Sequence, residues 1–475
     1  MVCPKLNIQN SKFNIHYCFF YGVSGASRRR TGLYVTSKIY FCIMNIQKSH
    51  CKRLRPEADF RAAQNERLYR HLHHCARNSP YYRRLFDQNH IYPEKISLEN
   101  LSELPMTGKP ELETMNDDFL AVEPDKVVDI VYSSGTTGQP TKIAYTENDL
   151  QRLAYNEHLS LSLTGITSTD TILLTCTMDR CFVAGLAYFL GSRDIGAAVI
   201  RNGHGTMNSH CRIIERAAPT TIIGVPSFLL KLGQHLQKEN ISPGKSSVKR
   251  LVCIGEPIRD RYLQPLPPAA KLTRLWNAEI YSTYASTETV TTFCECARGQ
   301  GGHLHPELGI LEIVAPNGKP LPSREVGEIV ITPLGVEGMP FIRFRTGDLG
   351  FMIDTPCKCG RSTPRLGPIM GRRNQMLKLK GTTIYPPAIA QTLESIPTVL
   401  EHYVEVTNAP EAFDEVTVHL ALNDDTWKVK DVEEKLQSAL RVKPKVQIEP
   451  LEHVRKKVFN PEYRKPIRFF DQREK

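Results

Sequence analysis

The sequence predicts an α/β fold: a large unit of parallel and mixed sheets covered by helices, then a small α+β lid. Three observations predict it. From 127 to about 335, short β-rich runs alternate with helix-like stretches, the pattern of crossover connections. Near Gly371 that alternation breaks, and about 100 residues of mixed strand and helix follow. At 475 residues the chain exceeds one ordinary core, so two or three packing units are expected.

Taken in order, residues 57–90 have helical apolar spacing and then an Asn-Ser-Pro stop. "VVDIVYSS" reads as a strand that runs into a glycine-rich loop. "TILLTCT" precedes a helix near 183–192, and "GAAVIRNG" returns as a strand. "PTTIIGVPS" precedes the helix "FLLKLGQHLQ", and "VKRLVCIGEP" precedes a helix expected near 258–264. "GEIVITPLG" and "FIRFRTGDLGFMI" read as antiparallel strands. Beyond Gly371 come the strands "HYVEVTN", "EVTVHLAL" and "PKVQIEPL", with the helix "VKDVEEKLQSALRV" among them.

Composition narrows the class. With 41% hydrophobic and 23% charged residues the chain reads as soluble and globular. No run approaches the ~18 apolar residues of a membrane helix, so no membrane partner is expected. The formal charge of +11 hints at nucleic acid, but residues 1–55 hold ten Lys or Arg and no acid. Without them 51 basic residues face 50 acidic ones, which argues against a nucleic-acid groove in the folded part. Residues 1–43 have no sustained period, and a second Met stands at 44. The favoured reading is a misassigned start, ahead of a transit peptide or a structured segment. Thirteen cysteines, mostly scattered, read as reduced thiols of a cytoplasmic protein.

The loop "VYSSGTTGQPTK" at 131–142 packs Ser133, Ser134, Gly135, Thr136, Thr137 and Gly138 together. Alone it fits an exposed turn as well as a phosphate cradle. It is not a P-loop, because the Gly-Lys-Ser at 244–246 has Glu239 where a Gly is required. Nor is there a G-x-G-x-x-G, since Leu304 stands where the last Gly after Gly299 and Gly301 is wanted.

Four further stretches follow the loop: "YASTE" at 284–288, "RFRTGDL" at 343–349, "GRRNQMLKLKGTTIYP" at 371–386 and "RKPIRFFD" at 464–471. Each alone has a plain structural explanation: a Thr-Gly-Asp turn, a helix start after Ser-Thr, a solvated tail lysine. In this order, over residues 57–475, the series resembles the adenylate-forming (AMP-binding) enzymes, most closely the phenylacetate–CoA ligase-like branch. The resemblance implies activation of a small carboxylic acid with ATP and Mg²⁺ to an acyl-adenylate, then transfer to coenzyme A.

It also implies roles. Ser133 to Gly138 would grip the β- and γ-phosphates, and Thr287 would reach the α-phosphate. Glu288 would hold Mg²⁺, an ion that prefers oxygen ligands. Tyr284 would lie against the adenine, Asp348 would bind the ribose hydroxyls, and Arg372 would sit beside ribose and phosphate. Lys465 would neutralise charge at the reacting phosphorus during adenylation, and a hinge around Gly371 to Asn374 would then turn the lid. Two departures stand out: Asn374 replaces the usual hinge acid, and Arg464 replaces the usual Gly before the lysine. Residues 176–191, with Phe182 the aromatic candidate, are expected to line the acid's pocket.

"FCECARGQGGHLHPE" and "TPCKCGR" lack the C-x₂-C spacing of common zinc ribbons. Cys357-Lys-Cys359-Gly is nevertheless a tight turn that can aim two thiolates inward. The resemblance selects Cys296, His303, Cys357 and Cys359 as a structural Zn²⁺ site, with Cys294 and His305 as substitutes. The expected domains are thus a leader at 1–43, an AMP-binding domain at 44–370 and a lid at 371–475, with a homodimer allowed. The rivals are transfer to a carrier-protein thiol or an amine, and a non-catalytic nucleotide-binding scaffold. The identity of the acid is not readable.

Overall fold

The computed structural model describes residues 57–133, 141–379, 382–408, 414–460 and 466–473. Helices α1 (Glu57–Asn78) and α2 (Pro80–Gln88) open it. Their junction follows local chemistry: Ser79 Oγ accepts from the Tyr82 amide at 3.5 Å, and Pro80 takes the first helical position. A short helix α3 (Lys109–Thr114) precedes β1 (Val127–Ser133) and β2 (Thr141–Thr146).

The alternating region then runs α4 (Glu147–Ser162), β3 (Thr171–Leu174), α5 (Val183–Ile195), β4 (Ala198–Arg201), α6 (Met207–Ala217), β5 (Thr221–Gly224), α7 (Pro226–Lys238) and β6 (Arg250–Ile254). It continues through α8 (Pro267–Trp276), β7 (Glu279–Ser286), β8 (Thr291–Glu295) and β9 (Gly302–His303). With β13 (Met352–Ile353) and β14 (Arg365–Leu366) these strands form a nine-stranded sheet, ordered β13-β14-β9-β8-β7-β6-β5-β3-β4. The stretch from β4 to β7 is parallel; the rest is antiparallel. Both faces of the parallel part are covered. Leu229, Leu232, Leu236, Leu272 and Trp276 pack on one side, and Leu161 and Tyr188 pack on the other. That double burial explains why β5 is buried at every position rather than alternating.

A second, four-stranded sheet is ordered β10 (Gly309–Val314), β11 (Gly327–Pro333), β12 (Phe344–Gly350), β15 (Gly371–Arg372). The C-terminal part is a small domain with its own sheet. A hairpin of β16 (Leu377–Leu379) and β17 (Thr382–Ile384) leads to α9 (Pro386–Glu394). Then β18 (Val399–Asn408), β19 (Asp414–Leu422), α10 (Val429–Leu440), β20 (Lys445–Ile448), α11 (Leu451–Val458) and β21 (Phe469–Asp471) build a sheet ordered β20-β19-β18-β21. A separate apolar core around Leu377, Ile389, Val406, Val418 and Leu436 holds it together.

Two expectations are corrected. The strand before the glycine-rich loop is not part of a parallel sheet: β1 and β2 form a two-stranded antiparallel ribbon, with Ser133 opposite Thr141. The helix expected near 258–264 begins instead at Pro267. Asp260 Oδ1 accepts from the amides of Tyr262 and Gln264, both at 2.8 Å, and Leu263 sits at φ +66°. Those bonds wind a turn there, and the helix waits for a proline at its first position. The leader at 1–43 lies outside the described residues.

Candidate active site

A cavity of about 820 Å³ lies where the ribbon, the nine-stranded sheet, the second sheet and the C-terminal part meet. Ser133 at the end of β1, Thr287 and Glu288 in the β7–β8 turn, Asp348 on β12 and Arg372 on β15 all line it. Five of the residues singled out in the sequence, spread over 240 positions, therefore share one wall.

The β7–β8 turn is braced from two directions. Ser286 Oγ stands 3.0 Å from Thr289 Oγ1, and Tyr145 Oη of β2 donates to the Thr287 carbonyl at 2.7 Å. This leaves Glu288 buried, with no hydrogen-bond partner for Oε1 and the Lys109 ammonium 3.6 Å from it. Ser133 Oγ is likewise buried and has no hydrogen-bond partner among the described residues. An oxygen-seeking cation beside phosphates suits such a carboxylate, so the residues present fit Mg²⁺.

Asp348 is aimed by its own tripeptide. Gly347 takes φ +77°, a left-handed conformation that favours glycine, and Thr346 Oγ1 accepts from the Asp348 amide at 3.1 Å. One Asp348 oxygen accepts from Tyr284 Oη at 2.8 Å and the other from Arg372 Nε at 3.1 Å. Tyr284 does not line the cavity; it stands behind Asp348, with its ring against Phe293. Burial pushes the Tyr284 hydroxyl well above its ordinary range, so it remains a donor. The arginines of "RFRTGD" are structural. Arg343 grips Glu312 through two bonds and reaches the Ser102 and Leu104 carbonyls, while Arg345 pairs with Glu328.

A further part of the cavity comes from α4, α5 and the loop before α5. Leu153, Cys176, Phe182, Val183, Ala187 and Tyr188 line it, so the 176–191 stretch does face the cavity. Phe459, Asn460, Pro466 and Arg468 contribute from the C-terminal part. Ser134 to Gly138 and Lys465 lie outside the described residues.

The Cys/His residues form a second centre. Cys296 Sγ and Cys357 Sγ are 3.8 Å apart, Cys359 Sγ is 3.5 Å from His303 Nε2, and all four donor atoms lie within 4.8 Å of one another. Cys357 and Cys359 share a turn closed by the Gly360 amide on the Cys357 carbonyl at 2.9 Å, with Gly360 at φ +92°. Ligands on a tetrahedral zinc stand about 3.3–3.8 Å apart, so this closed donor set fits the metal. His305 is engaged elsewhere, 3.2 Å from Ser160 Oγ, and neither it nor Cys294 belongs to the cluster.

Several charged residues of the site escaped the sequence reading, Lys109 and Glu157 among them. Lys109 opens a helix in "TGKPEL" and reads there as a solvated first-turn lysine. Glu157 sits mid-helix in α4 yet is buried against the cavity. Neither carries a spacing signal.

A family model of the AMP-binding enzymes matches residues 76–336, and one of their C-terminal domain matches 381–473. The chain belongs to the AMP-binding enzymes. Among curated relatives of this AMP-binding enzyme, the phenylacetate-coenzyme A ligase of Thermus thermophilus is 32% identical over 379 residues, covering 78% of this chain and 84% of that one. The phenylacetate-coenzyme A ligase of Escherichia coli is 29% identical over 380 residues, with the same coverage. The structure also resembles the crystal structure of a 2-hydroxyisobutyryl-CoA ligase in the postadenylation state. That match has a TM-score of 0.77 at 20% identity and covers 88% of this chain and 91% of that one. This likeness gives the fold. Among the described residues, no helix is long and apolar enough to cross a membrane.

Proposed function

We propose that the chain is an AMP-forming acid–thiol ligase. A carboxylic acid and ATP give an acyl-adenylate and pyrophosphate; the thiol of CoA then takes the acyl group and releases AMP. The observation that carries this reading is the shared cavity. In it a doubly held carboxylate, Asp348, and a buried one, Glu288, paired among the described residues only with the Lys109 ammonium at 3.6 Å, line a cavity that apolar residues also line.

The chemistry sets one anion against another, so the residues must hold reactants in line and balance charge. In this reading Asp348 accepts the ribose hydroxyls, with Tyr284 and Arg372 fixing its plane. Thr287 reaches the α-phosphate from its braced turn. Ser133 and the loop to Gly138 take the terminal phosphates. Mg²⁺ on Glu288 would supply positive charge to the phosphate oxygens. Lys465 follows the same logic from the C-terminal part, whose neighbouring Pro466 and Arg468 line the cavity. Cys296, His303, Cys357 and Cys359 are assigned to a structural zinc, since four protein ligands leave no open position for chemistry. The division at about residue 371, an optional homodimer and a cytoplasmic setting belong to the same reading; the nine described cysteines, all free thiols, support the last.

The test is acid-dependent pyrophosphate release across a panel of carboxylic acids, followed by thioester formation when CoA is added. Release without thioester would transfer the second half-reaction to another acceptor. Absence of ATP–Mg²⁺ binding by calorimetry would make the chain a scaffold.

A further inference from the structure

Glu157 is out of place in the wall it helps to form. Four carboxylates line the cavity, and three have clear partners: Glu256 accepts from Ser227, Glu288 faces Lys109, and Asp348 holds Tyr284 and Arg372. Glu157 is 2% exposed, and no cation among the described residues pairs with it. Its Oε1 accepts from Thr292 Oγ1 and, at 3.5 Å, from Asn156 Nδ2. Its Oε2 is buried and has no hydrogen-bond partner among the described residues.

The placement is rigid. Gly191 of α5 packs so tightly on α4 that a Cβ there would come within 2.3 Å of Glu157 Cβ. The cavity lining from α4, α5 and the loop before α5 includes the apolar Leu153, Val183 and Ala187 with Cys176 and Tyr188. A carboxyl oxygen left unpaired in such a place is destabilising, so its presence calls for a ligand. The nucleotide-facing groups stand on the β7–β8 turn, β12 and β15, which leaves this α4–α5 wall to the acyl part.

We propose that Glu157 selects the acid: its Oε2 accepts a hydrogen bond from a hydroxyl or amino group at the end of the substrate remote from the carboxylate. This rests on the acid-activating reading above. It makes the natural substrate a carboxylic acid with a distal donor rather than a wholly apolar one. A site built to pair with a substrate hydroxyl rejects the analogue lacking it far more strongly than an apolar pocket rejects a misfit methyl.

The experiment compares matched acids that differ by hydroxyl against methyl: 4-hydroxyphenylacetate with 4-methylphenylacetate, 6-hydroxyhexanoate with heptanoate, and 3-hydroxypropionate with butyrate. 4-Aminophenylacetate is added as the amine probe. kcat/KM for pyrophosphate release is measured for wild type, Glu157→Leu and Glu157→Gln, with melting temperatures of all three. In wild type the donor-bearing member of the accepted pair should be preferred by roughly 10²-fold or more. Glu157→Leu should reverse that preference toward the methyl acid, while Glu157→Gln, which keeps a carbonyl acceptor, should retain part of it for the hydroxyl. A wild-type preference for the methyl acids, or one unchanged in both variants, would overturn the proposal. If Glu157→Leu does not fold, the wild-type preference and Glu157→Gln decide alone. Pyrophosphate release from no acid at all would instead overturn the ligase reading, and this inference with it.

Discussion

Asp348 answers to two neighbours at once, and its chemistry follows from that. Tyr284 Oη and Arg372 Nε each occupy one oxygen, which leaves each oxygen a further lone pair for a sugar hydroxyl. Asp348→Asn keeps the shape but turns half the group into a donor facing another donor. ATP affinity measured by calorimetry should fall ~10–100-fold, about 1.4–2.7 kcal/mol, without loss of fold; unchanged affinity would remove Asp348 from the ribose site. Glu157 offers a second test at this scale. Burial pushes its carboxyl from the ordinary 4.5 up to about 7, against hydrogen bonds from Thr292 and Asn156 that lower it. The folded chain without ligand therefore keeps, up to about pH 7, a proton that the unfolded chain releases, whereas a substrate donor facing Oε2 favours the ionised form. Its contribution to stability is complete below pH 4.5 and is lost as pH rises through about 7. Glu157→Gln cannot titrate, so between pH 5 and 8 it should gain on wild type by on the order of 3 kcal/mol in denaturant midpoints. Parallel pH profiles for the two proteins would sink the idea.

Elements were legible where one physical signal dominated. The apolar runs of β3, β5 and β6 show as buried strands because helices cover both faces, and the Asn-Ser-Pro at 78–80 shows as a stop because serine caps and proline starts a helix. The turn at 258–264 was illegible, since its geometry rests on one aspartate side chain rather than on any period. The β1–β2 ribbon was misassigned because alternation with helices says nothing about pairing partners. Among site residues, those on glycine-marked turns could be read through the family resemblance, whereas Lys109 and Glu157 could not: a charge on a helix reads as solvated until its surroundings are known. The Cys/His cluster spans two loops and β9, so no spacing signals it; the family resemblance selected its four residues, and the fold brings them together. Cys357→Ser with Cys359→Ser should abolish a zinc content of about one per chain, measured by elemental analysis, and lower the melting temperature by several degrees, roughly 4 °C or more. Metal-free protein of unchanged stability would dismiss the site.

At the scale of the whole molecule, the cavity is closed by residues from both the large body and the C-terminal part, so the two half-reactions pose different demands on how those parts meet. In the proposed mechanism Lys465 would act only in the first, its ammonium balancing charge between carboxylate and α-phosphate. Lys465→Ala should slow acid-dependent pyrophosphate release by ~10²–10³-fold. Supplied with synthetic acyl-adenylate and CoA, the same variant should form thioester near the normal rate. Equal damage to both steps would make the lysine a structural one. The Cys/His cluster has a consequence of another kind. The nine-stranded sheet ends on β13 and β14, strands of two residues each, and the Cys357–Cys359 turn joins them. Short edges resist pairing with another molecule only while they stay folded back. Releasing that turn would leave β9 and then the five-residue β8 unpaired at the edge of the sheet. Chelation should then show first as light scattering that rises with protein concentration, ahead of any loss of helix signal: metal supply would set solubility before it set activity.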